Sequence, residues 1–184
     1  MRILACADLH GRPERIDRVR DLAAEHAPDA IVLAGDLGGW DEELAALRRL
    51  ELPVPVLAVS GNMDSPETIL TLAERGWLLT EQPRALGGVS FGGPNVQAAC
   101  DVLVVHKPPS GTLDVVSSGH IGSRRTLETM RRLRPRVLVC GHVHESPGVE
   151  RAGDTLVVNC SMGAGRAAGA WIEISGDDVT ARLL

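Results

Sequence analysis

Short apolar runs alternate with amphipathic stretches through the first half of the chain, and this alternation narrows the fold more than any other feature. Arg2 to Ala7, Ala30 to Ala34 and Val54 to Ser60 read as strands. After Pro13, Ile16, Val19, Leu22 and Ala23 recur at helical spacing; a second helix lies around Leu44, Leu47 and Leu50, and a third follows Pro66 with Ile69 and Leu72. Such a βαβαβα series predicts parallel strands joined by right-handed crossovers. In the second half the runs Trp77 to Thr80, Gly88 to Phe91, Val102 to His106, Val137 to Cys140, Leu156 to Asn159, Trp171 to Ile174 and Val179 to Leu183 are separated mostly by turns. One helix interrupts them, Arg124 to Arg134, with Ser123 as its N-cap and Leu127, Met130 and Leu133 on one side. The expected fold is α/β, with two mixed sheets packed face to face and flanked by helices. No repeat or linker divides residues 1–184, so a single domain is expected. Lys107 to Gly122 is the longest irregular stretch, and long loops in compact domains are often functional.

Composition excludes several classes of partner. The net charge of -5 opposes sequence-independent coating of nucleic acid, and one Phe, three Trp and no Tyr leave little for base stacking. No stable nucleic-acid binding is expected. No apolar run approaches the roughly 20 residues of a membrane helix, and Asp8 stands too early for a signal-peptide core. A cytoplasmic protein without membrane association is therefore expected, with homo-oligomerisation left open. Cys6, Cys100, Cys140 and Cys160 form no C-x-x-C pair and read as reduced core residues. The arginines at 124, 125, 131, 132, 134 and 136 read as the solvated face of one helix rather than a nucleic-acid patch. Gly163 to Gly169 leads into a strand, so it reads as a turn near the site and not as a phosphate loop.

Metal-capable side chains follow the apolar runs repeatedly. Asp8 and His10, Asp36, Asn62, His106, and His142 and His144 each stand just beyond a predicted strand. In open α/β sheets that edge is where ligands bind. A single Asp or His there would be an ordinary cap or loop residue, but four of the six histidines occupy such positions. His26, at the end of the first helix, needs no further role. In extended chain, the two-residue spacing of Asp8 with His10, and of His142 with His144, would turn both members of each pair to one side. Gly35, Gly61 and Gly141 precede Asp36, Asn62 and His142 and suit an abrupt turn there. Carboxylate, imidazole and amide donors without thiolate suit Mn, Fe, Zn, Co or Ni, and seven ligands exceed one tetrahedral ion.

With D-x-H at Asp8 and His10, G-D at Asp36, G-N at Asn62, His106 after a strand, and G-H-x-H at His142 and His144, the chain resembles the calcineurin-like metallophosphoesterases. The segments G-N-M-D-S-P (61–66), H-K-P-P-S-G-T-L-D (106–114), G-H-I-G-S (119–123) and G-H-V-H-E (141–145) are similar to the small Icc-related branch. The resemblance implies a four-layer α/β/β/α sandwich and two divalent transition-metal ions, Mn foremost. It implies Asp8, His10, Asp36 and His144 around the first ion and Asp36, Asn62, His106 and His142 around the second. A hydroxide bridging the ions would attack phosphorus in a small phosphodiester or nucleotide. A phosphomonoesterase or pyrophosphatase on the same site, or a scaffold resembling the retromer subunit of this fold, are the alternatives.

One position departs from the pattern. Many members carry a His directly after the motif Asn, to stabilise the transition state or protonate the leaving oxygen; here it is Met63, whose thioether has no proton to give. The Icc-related members resemble this chain in lacking that His. His120 is accordingly a candidate phosphate contact or leaving-group donor, with a turn role as the alternative. Asp64 and Asp114 are candidates for orienting metal-bound histidines, against simple turn or cap roles.

Overall fold

A computed structural model of the chain describes residues 1–39, 42–163 and 168–184. Two sheets form its centre. The first has the order β13-β12-β1-β2-β3, built from β1 (Arg2–Cys6), β2 (Ala30–Ala34), β3 (Val56–Val59), β12 (Ala170–Ser175) and β13 (Asp178–Leu183). The predicted β1, β2 and β3 are parallel, and β12 runs antiparallel beside β1. The second has the order β10-β11-β9-β6-β5-β4, from β4 (Arg84–Leu86), β5 (Val89–Gly92), β6 (Val102–Val104), β9 (Val137–Cys140), β10 (Gly148–Ala152) and β11 (Thr155–Asn159). Its inner strands are parallel, while β10 and β4 close its edges antiparallel.

Side-chain alternation along these strands builds three packed interfaces, and hence four layers. Ile3, Ala5, Val32, Ala34, Leu57 and Val59 meet Phe91, Val102, Val104, Val137, Val139 and Val158 between the sheets. From the other face of the first sheet, Leu4, Cys6, Ile31 and Leu33 pack on Ile16, Val19 and Leu22 of α1 (Pro13–His26), Leu47 of α2 (Glu42–Arg48) and Leu72 of α3 (Pro66–Glu74). Behind the second sheet, Leu103, Leu138, Cys140 and Val157 cover Met130 of α4 (Arg124–Leu133). Strands covered on both faces carry unbroken apolar runs, as parallel strands in α/β proteins do. Ser123 caps α4 as expected, accepting from the Thr126 N–H, while Leu127 and Leu133 are only half-buried.

Several local expectations are corrected. Trp77 to Thr80 forms no strand and contributes a single bridge, Leu78 to Ala58, together with two backbone bonds to Ala58. Ile69 is exposed; α3 buries Thr68, Thr71 and Leu72 instead. The stretch 107–122 contains a hairpin, β7 (Val115–Val116) with β8 (Gly119–His120). In the α4 region Arg125 reaches Asn95 Oδ1 and Arg132 reaches the carbonyls of Val96 and Gln97, so part of the arginine face clamps a neighbouring loop. All four cysteines are buried with free thiols. Within the expected turn at 163–169, residues 164–167 lie outside the described residues. Among the described residues no helix is long and apolar enough to cross a membrane.

Candidate metal centre

The carboxyl ends of both sheets meet at one place. Ala7, just beyond β1, bridges in parallel to Ser161, just beyond β11, and the Met162 N–H donates to the Ala7 carbonyl at 3.1 Å. Loops after β1 and β2 run side by side, with Asp8 N–H on the Gly35 carbonyl (3.0 Å) and His10 N–H on that of Asp36 (2.8 Å). On the second sheet Gly141 N–H donates to the His106 carbonyl at 2.9 Å, joining the loops after β9 and β6. Five strand ends are thereby drawn together.

Six predicted residues converge there in two groups, Asp8 with His10 and His144, and Asp36 with His106 and His142; within each, one ligand atom per residue lies within 4.8 Å of the others. A direct bond links the groups, from the His142 N–H to Asp8 Oδ2 at 3.0 Å. The seventh, Asn62, is exposed and sits between Gly61 and Met63, both of which touch Asp36. Met63 N–H donates to Asp36 Oδ1 at 2.8 Å, and a Cβ on Gly61 would fall on that carboxylate. The Met63 side chain is 59% exposed.

The route to convergence differs from the extended geometry expected of D-x-H. Asp8 (φ 61°), His10 (φ 49°), Asp36 (φ 51°) and His142 (φ 70°) all have left-handed backbone. Non-glycine residues there cost on the order of 1–3 kcal/mol each and persist only where their surroundings over-determine them. His142 and His144, expected to share one side, separate into different groups. The glycines also divide by role. Gly35 has φ +87°, the abrupt turn its place suggests, whereas Gly141 is needed because a Cβ would strike Ala7 and Asp8.

Electrostatics favours a cation. Burial opposes ionisation of Asp8, but the nearby His144, Ser161 and His106 outweigh it and hold its pKa below the ordinary carboxylate range. Asp36 behaves alike, with His106 as the main counterweight to burial. Burial pushes His10 and His142 down, helped at His142 by the charges of His106 and Lys107. His144 is raised by Asp8, and His106, despite its burial, by Asp36. His106 Nδ1 faces the Ala34 carbonyl at 2.9 Å, which places a proton on Nδ1 and leaves Nε2 as a lone-pair donor, the arrangement found behind metal-bound imidazoles.

The decisive detail is two buried atoms. His106 Nε2 stands 3.2 Å from Asp36 Oδ2, and Asp8 Oδ1 stands 3.4 Å from His144 Nε2, yet neither contact has hydrogen-bond alignment. Among the described residues both His106 Nε2 and Asp8 Oδ1 therefore lack a hydrogen-bond partner. A buried polar atom left so costs about 1–3 kcal/mol, which a coordinated cation would remove. The residues present fit divalent ions.

Asp64 and Asp114 have other partners. Asp64 accepts N–H groups of Leu37 (2.8 Å), Gly38 (3.0 Å) and Gly61 (2.7 Å), locking the loops after β2 and β3 together without touching a histidine ring. Burial nonetheless raises its pKa against those three bonds. Asp114 faces His120, not a residue of either group. Sequence reasoning missed Arg15, whose guanidinium donates to the carbonyls of Asp8 (2.6 Å) and Gly163 (3.0 Å) and braces the left-handed turn at Asp8. An arginine on the first turn of a helix gives no sequence signal for that role.

The model of the calcineurin-like phosphoesterase superfamily domain matches residues 1–170. The chain belongs to that superfamily. Its four-layer sandwich is the fold of calcineurin-like phosphoesterases. The uncharacterised protein MJ1162 of Methanocaldococcus jannaschii is 27% identical over 88% of each chain. The crystal structure of TT1561 of Thermus thermophilus superposes with TM-score 0.74 at 17% identity, over 99% of this chain and 98% of that one. A structure described as a novel archaeal phosphodiesterase superposes with TM-score 0.64 at 15% identity, covering both chains in full. Likeness at these structural identities speaks for the fold alone.

Proposed function

We propose that the protein is a dinuclear metal-dependent phosphoesterase acting on phosphodiesters or small nucleotides. The observation that carries this reading is the pair of adjoining candidate ligand groups, each with one buried atom, Asp8 Oδ1 or His106 Nε2, lacking a partner among the described residues. Asp8, His10, Asp36 and His144 would hold one ion, and Asp36, Asn62, His106 and His142 the other, with Asp36 shared. Two divalent ions, Mn foremost, would acidify water and neutralise phosphate oxygens.

The protein's own residues do the rest of the work. The carboxylates of Asp8 and Asp36 would offset only part of the about +4 such ions carry, so the loaded centre would stay positive and draw phosphate although the chain is net -5. Asp64 holds the Asn62 loop against the Asp36 loop through Gly61, and the Ala34 carbonyl keeps the His106 ring in one tautomer. Met63 leaves the usual proton-donor position without a transferable proton. A diester substrate accords with the similar structure described as an archaeal phosphodiesterase, a likeness of fold at 15% identity.

Purified protein stripped and reloaded with Mn should hydrolyse bis(p-nitrophenyl) phosphate faster than p-nitrophenyl phosphate. Asp36→Asn or His142→Ala should reduce turnover to background with circular dichroism unchanged. Near-unaltered activity in either variant would sink the proposal, and a reversed substrate preference would replace the diesterase by a monoesterase.

A further inference from the structure

Between His106 and α4 the chain spends a fully buried carboxylate on an exposed histidine. Asp114 has no solvent exposure. Its Oδ2 accepts the N–H groups of Gly111 (2.9 Å) and Gly122 (3.1 Å), and its Oδ1 lies 2.7 Å from His120 Nδ1. The His120 side chain is 63% exposed. A carboxylate behind Nδ1 fixes the ring's orientation and keeps a proton on that nitrogen, so Nε2 is the atom left for an outside partner. A plain turn residue needs no such support, since a buried carboxylate is costly unless all its bonds are made.

The pair is fastened to the metal-site loops at several points. Ser146 Oγ donates to the Val115 carbonyl at 2.7 Å. The Asn159 amide donates to the carbonyls of Val143 and Ser146 at 2.9 Å and reaches that of Leu113 at 3.5 Å. Asp114 lies between Leu113 and Val115, and His120 is the cross-strand partner of Val115. At the base, Ser123 N–H donates to the Pro108 carbonyl at 2.8 Å, two residues beyond His106. A chain of hydrogen bonds thus joins the Asp114–His120 pair to the loop holding His142 and His144 and to the strand end at His106.

We infer that His120 is the leaving-group proton donor of this phosphoesterase, with Asp114 as the positioning residue behind it; the inference rests on the function proposed above. It fills the role Met63 cannot. In the step, a water oxygen bonds to phosphorus and its proton passes to solvent. The ester P–O bond breaks, its electron pair stays on the departing oxygen, and that oxygen takes the proton from Nε2 of the imidazolium. An alcohol leaves, and the neutral ring recovers its proton from solvent.

The test compares two diesters with Mn-loaded protein, bis(p-nitrophenyl) phosphate and diphenyl phosphate, whose phenol is the poorer leaving group. His120→Ala and His120→Gln should lose about 100-fold on diphenyl phosphate and distinctly less on the nitrophenyl ester. Asp114→Asn should show the same trend at smaller size. Mn content per chain, read by mass spectrometry, should match the unsubstituted protein in the His120 variants. Equal losses on both esters, or a lower Mn content, would overturn the inference alone. An unsubstituted protein cleaving neither ester overturns the phosphoesterase reading and this inference with it. If Asp114→Asn does not fold, the two variants at exposed His120 decide the matter.

Discussion

The two ligand groups differ in how far the polypeptide prepares them. In the second, Asp36 and His106 are buried while His142 is half-exposed, and the His106 ring is held by a main-chain carbonyl with its remaining nitrogen 3.2 Å from Asp36 Oδ2. In the first, only Asp8 is buried; His10 and His144 are half-exposed, edge to face with ring centroids 5.4 Å apart. Burial within the sheet junction fixes side chains through packing, whereas side chains on the rim keep more rotamer freedom. The second group is therefore the more buried and more nearly preformed of the two.

A matched pair of glycine substitutions should separate these halves most strongly. Gly61→Ala puts a Cβ on the Asp36 carboxylate and against its backbone, where nothing can yield, and turnover should drop about 100-fold. Gly163→Ala directs its Cβ at the ring of His144, a half-exposed side chain rather than backbone, so Mn affinity measured calorimetrically should weaken only about tenfold. Equal damage from both would erase the distinction. A smaller effect should appear on chelation: the ion of the Asp8 group should leave first, giving two-step release under competition with EDTA, whereas simultaneous release would show two equivalent halves.

The smallest expected effect is on pH dependence. Metal and protons compete for the same imidazole nitrogens. Asp8 raises His144 above its ordinary 6.5, and Asp36 raises His106 against the burial that opposes it, so both rings hold a proton below that pH. Mn affinity should consequently fall as pH drops. On the alkaline side it should level off above 6.5 rather than at it. Asp36→Asn, which removes the charge raising His106, should move the onset for the second group downward, as a calorimetric pH series would register.

Legibility in the sequence followed burial. Strands covered on both faces, such as Ala30–Ala34 and Val137–Cys140, are unbroken apolar runs and were readable from composition alone. The two edge strands of the second sheet, β4 and β10, were not: Gly148–Ala152 reads Gly-Val-Glu-Arg-Ala, and its place comes from pairing with β11. The metal-capable residues stood out because strand ends are a fixed place in this architecture. Their left-handed backbone did not, since φ at Asp8 or His142 is set by contacts with loops more than 20 residues away, such as those of Gly35 and Asp8. The partnership of Asp114 with His120 closes a hairpin whose strands have two residues each, too short for any periodicity to announce.

Four kinked ligand positions carry a lesson for protein engineers. Grafting the same aspartates and imidazoles onto a straight strand edge would aim their donor atoms elsewhere, because the curvature of the main chain does the aiming. A borrowed centre would have to bring along its bracing, Arg15 beneath Asp8 and Asp64 between the two neighbouring loops, or the transplanted bends would spring open.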